Sequence, residues 1–184
     1  MIKTVFNSIQ KYPLVKKDID NLLILLDETK ILLTISWENG YVTNIRLKET
    51  SCLNDSKLYA HEISIKEVSN FFSKKTSNLL LPFSICITPF MKKVYQETLN
   101  IPFSKTISYK ELADILKTSP RAIGQAMKKN PIPLIIPCHR VIGKNGQLTG
   151  FSSGLRIKEK LLNFEKGNIN IIIKANLKTG GKGV

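Results

Sequence analysis

A cysteine, a histidine and an arginine stand side by side in the second half of the chain, at Cys138, His139 and Arg140. A thiolate is a strong nucleophile, and a neighbouring imidazole or cation lowers the pKa of a thiol and so raises its thiolate fraction. An isolated cysteine is usually a small buried hydrophobic residue. With a proline before it and His-Arg after it, Cys138 is instead expected to be reactive.

The segment before this cysteine contains prolines at positions 131, 133 and 137. Proline hinders helix formation, so we expect an extended, stiff lead-in that buries residues 134–136. Neighbours on an extended chain point in opposite directions. His139 would therefore act on the thiol through a water molecule or through a bend in the chain.

The other two cysteines, Cys52 and Cys86, suggest no further chemistry. Three cysteines without a signal peptide argue against a disulfide framework, and no Cys-x-x-Cys pair is present. A zinc site could only be improvised from Cys52, His61 and Cys86, whose spacing is unlike that of known zinc motifs. We expect at least one free thiol in a reducing compartment, with no metal and no cofactor.

The net charge of +14 is concentrated in the second half of the chain. Residues 1–87 hold 11 Lys and Arg against 9 Asp and Glu, and residues 88–184 hold 17 against 5. Such a local positive field attracts polyanions. A solvated lysine-rich surface explains the same numbers, so charge alone suggests nucleic acid without selecting it.

The first half has the pattern of an antiparallel sheet covered by one helix. Three runs rich in β-branched, aromatic and leucine residues are separated by turn residues, and Asn39-Gly40 is a strong hairpin signal. The runs are residues 22–26, 31–37 and 41–47. Val68, Phe71 and Phe72 follow at helical spacing on a helix predicted from about residue 64 to residue 75.

The second half has the pattern of short, well-capped helices. Thr88-Pro89 opens a helix to residue 99, and Ser108 with Glu111 forms a capping box before the next helix. Ser119-Pro120 then starts a helix to residue 129, so two helices with a tight turn make a helix-turn-helix candidate. The predicted class is α/β: an N-terminal α/β domain (1–80), a mostly helical domain (88–168) and a basic, glycine-containing tail (169–184), in which residues 174–184 are expected to be mobile.

The last of these helices carries the small residues Ala122, Gly124 and Ala126. Glycine inside a helix costs about 1 kcal/mol relative to alanine, so some contact should offset it. The small side chains would serve either tight packing against a neighbouring helix or close approach to a DNA backbone, with Arg121 projecting into the duplex.

The second half of the sequence resembles a known family, the methylated-DNA–protein-cysteine methyltransferases, or O6-alkylguanine-DNA alkyltransferases. Its residues 137–141 (Pro-Cys-His-Arg-Val) resemble the family's active-site signature. Further similar segments cover about residues 90–167. They are residues 107–113 (first helix of the helix-turn-helix), 120–127 with Asn130-Pro131 (recognition helix and hinge), 150–155 (substrate loop) and 158–165 (final helix).

The resemblance implies a role for each matching residue. Cys138 would accept the alkyl group, with His139 as its base through a bridging water, Glu165 orienting His139, and Asn130 fixing the turn that carries the site. Arg121 would enter the base stack when the damaged nucleotide flips out. Tyr109 would contact the flipped base or its phosphate, and the Ser152 amide would bind O6. The remaining DNA contacts would be Ala122, Gly124, Lys128 and Arg140.

The implied function is repair of double-stranded DNA carrying O6-alkylguanine, and also O4-alkylthymine, by irreversible transfer to Cys138, once per molecule. We expect a monomer in the cytoplasm, at the nucleoid, without membrane contact. Phe151 stands where the family often has tyrosine, and Ser153 replaces a common glycine, which could narrow the pocket. The alternatives are a helix-turn-helix regulator with an incidental cysteine and a cysteine hydrolase, which lacks an oxyanion-hole motif here. The family's non-catalytic branch is disfavoured because Cys138 is present.

Overall fold

The three strands expected in the first half form an antiparallel sheet, and each is longer than its sequence pattern indicated. The computed structural model describes residues 17–51 and 55–178. Neighbouring strands pair in the order β3-β2-β1, with Leu22 opposite Leu33 and Leu33 opposite Leu47. The strands are β1 (Lys17–Leu26), β2 (Thr29–Glu38) and β3 (Tyr41–Glu49).

Residue alternation and turn chemistry explain this sheet. On β2 the odd-numbered residues from Ile31 to Trp37 are buried while the even-numbered ones between them are partly exposed, so one face of the sheet covers the core. Asn39 and Gly40 both have positive φ, 52° and 77°, as the predicted hairpin between β2 and β3 requires.

A fourth strand of this sheet comes from the segment predicted as a tail. The segment contains β7 (Ile171–Lys174), which pairs antiparallel with β1 and places Ile171 opposite Leu26. Residues 171–174 thus belong to the sheet and not to a separate tail, and residues 176–177, within the stretch expected to be mobile, form a short strand as well, so that expectation is wrong for the described part of the stretch. Residues 179–184 lie outside the described part. The reason is non-local: a run of three isoleucines finds an unpaired strand edge that is distant in sequence.

The opposite edge of the sheet, β3, is covered by the rest of the chain. The Val42 amide donates to the Pro82 carbonyl at 2.8 Å, and the Ser84 amide donates to the Val42 carbonyl at 3.0 Å. Farther along the strand, the Ile45 amide donates to the Pro131 carbonyl at 2.8 Å. This last bond ties the sheet directly to the segment that leads to Cys138.

The helices follow the predicted caps closely. Thr88, Ser108 and Ser119 each accept a bond from a backbone amide three residues later, and the capping box of Ser108 with Glu111 is complete. The order and spacing of the third and fourth helices are as predicted, and their use as a DNA-reading helix-turn-helix stays a prediction. The helices are α1 (Glu62–Phe72), α2 (Pro89–Leu99), α3 (Tyr109–Ile115), α4 (Pro120–Lys128) and α5 (Leu155–Lys166).

Two pairs of very short strands complete the fold. They are β4 (Tyr59–Ala60) with β8 (Asn176–Leu177), and β5 (Ile107–Ser108) with β6 (Val141–Ile142), both parallel. No helix among residues 17–51 and 55–178 is long and apolar enough to cross a membrane.

One hydrophobic core joins the sheet to the helices. Phe71 and Phe72 of α1 pack on Phe164 of α5 with ring centroids 5.5 and 5.0 Å apart, and Phe103 lies 5.9 Å from Phe164. Aromatic packing therefore ties the helix of the N-terminal part to the last helix of the C-terminal part. The domain boundary placed between residues 80 and 88 stays a prediction.

Candidate active site

The segment that carries Cys138 is a compact turn, so the prediction of an extended lead-in is wrong. Pro133 and Ile136 form an isolated bridge, and the Ile136 amide donates to the Ile132 carbonyl at 3.0 Å. Leu134 has φ of +75°, which folds the chain back on itself. Residues 134–136 are buried, as predicted.

Cys138 lies at the start of a 3-10 turn that spans Cys138–Arg140. The Cys138 amide donates to the Ile136 carbonyl at 2.7 Å, and the Arg140 amide donates to the Pro137 carbonyl at 2.9 Å. The chain therefore bends at the cysteine, but the bend does not join the two side chains directly, because His139 Nδ1 bonds to no described residue and Nε2 faces Glu165. Cys138 is only 4% exposed, so its sulfur lies beneath the surface.

Asn130 holds this turn in place. Its side-chain amide nitrogen donates to the Ile136 carbonyl at 3.0 Å and to Cys138 Sγ at 3.1 Å, and its oxygen accepts from the Ile132 amide at 3.1 Å. A buried amide with both ends bonded fixes its neighbours rigidly. This geometry agrees with the role expected of Asn130.

Glu165 on α5 binds both residues that follow the cysteine. Its Oε1 lies 2.7 Å from His139 Nε2 and 2.9 Å from an Arg140 terminal nitrogen, and its Oε2 accepts from the Ser104 amide at 2.8 Å. All three side chains of this group are buried. The carboxylate therefore orients the imidazole, and Arg140 balances its charge.

The second ring nitrogen of His139 has no hydrogen-bond partner within the described residues. His139 Nδ1 is buried, whereas Nε2 faces Glu165. Buried polar atoms are nearly always satisfied, so an unpaired one marks a place for a water molecule or a reacting group. Nδ1 is thus the atom of the imidazole that is available to take a proton.

Arg140 is fully buried, which overturns its predicted contact with DNA. Besides Glu165, its guanidinium donates to Asn78 Oδ1 at 2.8 Å and to the carbonyls of Ile101 and Ser77, the first at 3.0 Å. The N–H groups of its planar guanidinium thus bind the loop segments around residues 77–78 and 101, which surround the turn. Arg140 therefore secures the active-site turn from the inside.

Lys158 on α5 is a site residue that the sequence did not single out. Its ammonium is buried and donates to the carbonyls of Val141 at 2.6 Å and Thr149 at 2.7 Å. It also lies 5.7 Å from the ring centroid of Tyr109. Lysine is almost never fully buried, so the sequence alone predicts that Lys158 lies on the surface.

Burial sets the protonation of the cysteine and overturns the expectation of a depressed thiol pKa. Burial raises the pKa of Cys138 to about 11, although the Asn130 hydrogen bond and the Lys158 charge act in the opposite direction. Burial also lowers the pKa of His139, and it lowers the pKa of Lys158 to about 8. At neutral pH the site holds a thiol beside a neutral imidazole.

Next to Lys158, whose ammonium bonds the Thr149 carbonyl and lies near the Tyr109 ring, is an open cavity of about 590 Å³, which we call the loop cavity. It is lined by Tyr109, Pro120, Gly124, Lys128 and residues 149–152. The Tyr109 hydroxyl donates to the Gly150 carbonyl at 3.0 Å. Gly150 has φ of +52°, and a Cβ there would come within 3.1 Å of that hydroxyl, so a larger residue would push the loop away from Tyr109.

The small residues of α4 are not all explained by packing inside the chain. A Cβ on Gly124 would meet no atom within 4 Å, although Ala126 is buried. Arg121 and Lys128 are exposed, and Ala122 is half-buried. The open side of α4 therefore leaves room for an external surface to approach closely.

Two of the remaining predicted residues lie on the loop after β6. Ser152 is exposed and lines the loop cavity together with Phe151. Ser153 does not line that cavity and instead faces a second groove toward β3. Ser153 is thus poorly placed to narrow the loop cavity.

A cluster of possible metal ligands is formed by Asp18 and Asp20 of β1 and by His61, which directly precedes α1, with ligand atoms within 4.8 Å of one another. The Lys178 ammonium lies 2.6 Å from Asp18 and 3.2 Å from Asp20, so a lysine already supplies positive charge there. His61 bonds these aspartates, and Cys52 of the improvised zinc site lies outside the described residues.

The family model, the related sequences and the solved structures that match this chain all belong to one group of proteins. Residues 89–167 match the family described as "6-O-methylguanine DNA methyltransferase, DNA binding domain". A methylated-DNA–protein-cysteine methyltransferase from Saccharolobus islandicus is 48% identical over 95 residues, which cover 52% of this chain and 62% of that protein. The match thus spans less than two thirds of the relative's length.

Solved structures extend the similarity across both parts of the fold. The O6-methylguanine methyltransferase of Mycobacterium tuberculosis has a TM-score of 0.62 and 31% identity, covering 74% of this chain and 87% of that one. A structure of M. tuberculosis OGT in complex with DNA matches at a TM-score of 0.62 and 30% identity, covering 74% and 88%.

Proposed function

This chain belongs to the family of methylated-DNA–protein-cysteine methyltransferases, and we propose that it repairs O6-alkylguanine in DNA by transferring the alkyl group to Cys138. One observation carries the proposal. A buried thiol, held by Asn130, is followed directly in the chain by an imidazole that Glu165 orients, whose pKa burial lowers, and whose Nδ1 has no partner among the described residues.

The transfer exchanges two bonds for two. Cys138 Sγ bonds to the alkyl carbon while the bond between that carbon and guanine O6 breaks, and guanine leaves with the electron pair. The thiol proton passes through a water molecule to His139 Nδ1, the guanine anion takes up one proton from water, and the imidazolium returns its proton to water, so the net change is one thioether and one neutral guanine. A thioether is chemically stable, and each molecule therefore acts once.

The raised thiol pKa explains why a base is required. With a pKa of about 11, Cys138 is a thiol at neutral pH and needs proton removal during attack. Burial lowers the pKa of His139 and so keeps it neutral and able to accept that proton. Glu165 then stabilises the imidazolium through its 2.7 Å contact.

The loop cavity is the proposed receptor for the damaged base. O6 lies inside the duplex stack, so the nucleotide must flip out before the sulfur can reach the alkyl group. Tyr109 and Phe151 offer aromatic faces in this cavity, and Ser152 offers a backbone amide toward O6. We further propose that the protein also accepts the alkyl group of O4-alkylthymine. We propose that it acts as a monomer, at the nucleoid in the cytoplasm.

Intact mass measurement tests the proposed function. After incubation with excess duplex DNA that carries O6-methylguanine, each chain should gain the mass of one methyl group, located on Cys138 by peptide mapping. Undamaged duplex is the control and should add nothing. Methyl on Cys86 or Cys52, or many transfers per molecule, would contradict the proposal.

Arg121 is expected to act in base flipping as well as in binding. It is exposed in the first turn of α4, which borders the loop cavity. If it fills the vacancy of the flipped guanine, Arg121→Ala should slow single-turnover transfer by about tenfold or more even at saturating DNA, because unstacking costs a few kcal/mol. The measurement is the transfer rate on paired and on mismatched lesions.

A lesion that is already unpaired should partly rescue the Arg121→Ala variant, since less stacking is lost on flipping. Lys117→Ala, which removes an exposed cation from the turn before α4, is the matched control and should leave the rate on both substrates unchanged. Equal rates for Arg121→Ala and wild type on paired DNA at saturation would reduce Arg121 to a phosphate contact.

A further inference from the structure

A second groove runs beside the loop cavity, between the N-terminal sheet and the end of α4. It has a volume of about 450 Å³ and is lined by residues 44–48 of β3, residues 128–131, Ser152 and Ser153. We call it the β3 groove. The bond from the Ile45 amide to the Pro131 carbonyl, 2.8 Å long, fixes its two walls to each other.

Both walls of the β3 groove carry exposed cations. On β3, Ile45 and Leu47 point into the core, so the alternating residues Arg46 and Lys48 face outward on the same side. Lys128 and Lys129 are exposed at the end of α4. Two elements far apart in sequence thus place four positive charges around one groove.

These charges have no counterpart within the described part of the chain. The groove lining contains no aspartate or glutamate. The ion pairs found among residues 17–51 and 55–178 include none of the four cations. A concave surface of one sign concentrates its field, which suits a polyanion better than a neutral partner.

The groove is continuous with the proposed receptor for the damaged base. Lys128 and Ser152 line both the β3 groove and the loop cavity. A nucleotide flipped into the cavity is still joined to its neighbours by phosphates, which must leave along an adjoining surface. Asn44, Ser152 and Ser153 add neutral hydrogen-bonding groups of the kind that bind phosphate oxygens.

We propose that the β3 groove binds the phosphodiester backbone that flanks the flipped nucleotide, so that the N-terminal sheet takes part in DNA binding through Arg46 and Lys48. This rests on the proposed function for the choice of lesion DNA. It assigns a ligand to a part of the protein in which the sequence showed no site.

Salt dependence of binding tests this proposal with Arg46→Gln/Lys48→Gln. Each phosphate contact contributes about 0.9 to the slope of log K against log salt concentration, so the double variant should lower that slope by about 1.8 and raise Kd about tenfold or more at low salt. Single-turnover transfer at saturating DNA should match wild type, because neither residue lines the loop cavity.

The matched control is Lys57→Gln/Lys66→Gln, which removes two exposed cations from elsewhere in the N-terminal part. If it changes slope and Kd as much as the groove variant does, the effect is one of net charge and the groove proposal fails. The proposal also fails if the salt dependence of DNA binding by Arg46→Gln/Lys48→Gln equals that of wild type. It fails equally if this variant keeps its DNA affinity and differs from wild type only in self-association or in binding to an acidic protein. A thermal melt equal to wild type shows that the variant is folded.

Neutral methylphosphonates placed singly in the lesion strand locate the contact. For the wild-type protein, a methylphosphonate at one or two positions beside the lesion should weaken binding. At these positions the same methylphosphonate should not further lower the DNA affinity of Arg46→Gln/Lys48→Gln. Additive losses at every position would exclude a direct contact. If wild type binds with this pattern but transfers no methyl group, the groove proposal stands and the proposed function fails.

Discussion

Replacement of Cys138 by serine is expected to abolish methyl transfer while leaving DNA binding nearly intact. A serine hydroxyl is a far weaker nucleophile than sulfur near neutral pH, and loss of a catalytic nucleophile lowers rates by on the order of 10⁴-fold or more. Cys138 is buried, and Asn130 can donate to either side-chain atom, so the fold should persist. Single-turnover assays and fluorescence anisotropy measure the two effects separately.

Cys86→Ser is the matched control for this variant. Cys86 is an exposed free thiol in the connector before α2 and does not line the loop cavity. Its replacement should leave transfer at the wild-type rate. Transfer that persists in Cys138→Ser and disappears in Cys86→Ser would move the acceptor to the surface and invalidate the site described above.

Replacement of Glu165 by glutamine is expected to damage both stability and chemistry. The change leaves the buried Arg140 guanidinium without its counter-charge, and breaking a buried ion pair costs about 3–5 kcal/mol. For a chain of this length each kcal/mol lowers Tm by about 2–4 °C. Transfer should fall about 10²-fold or more, because the imidazolium formed during attack loses its partner.

Glu159→Gln is the control, since Glu159 is exposed on the same helix and its loss should change stability by no more than about 0.5 kcal/mol. Burial raises the pKa of Glu165, but His139 and Arg140 outweigh it and hold the pKa below the ordinary value. Such a carboxylate stabilises the fold above its unfolded pKa and loses this effect as pH falls through the folded pKa. The Tm gap between wild type and Glu165→Gln should thus be full at pH 7 and narrow in acid. A gap that widens in acid would contradict the assignment.

Local signals in the sequence predicted most of the fold. The Asn39-Gly40 turn, the capping box at Ser108 and the prolines after Thr88 and Ser119 each depend on a few neighbouring residues, and the structure has all of them. The motif around Cys138 was equally local. Features determined within a few residues were therefore predicted, with one exception: the prolines before Cys138 predicted an extended segment, and the structure has a turn there.

The failures at Arg140, Lys158 and the thiol pKa share a different cause, which is burial brought about by distant parts of the chain. Arg140 reads as a surface cation until the connector carbonyls and Glu165 enclose it. Lys158 was passed over for the same reason. The thiol pKa was expected to fall because His139 and Arg140 are adjacent in sequence, yet desolvation raises it once the turn is inside the protein and outweighs the Asn130 hydrogen bond and the Lys158 charge.

The fourth strand of the sheet has a consequence for how the protein is made. Among the described elements, strand β7 is translated after helices α1 to α5, yet it pairs with β1, which precedes all of them. Until β7 arrives, the backbone of residues 23–26 presents an open edge that can pair with other chains. The N-terminal half is thus exposed to aggregation until synthesis reaches β7. During that time the fold itself does not cover the edge, so chaperones must keep it from pairing with neighbouring nascent chains.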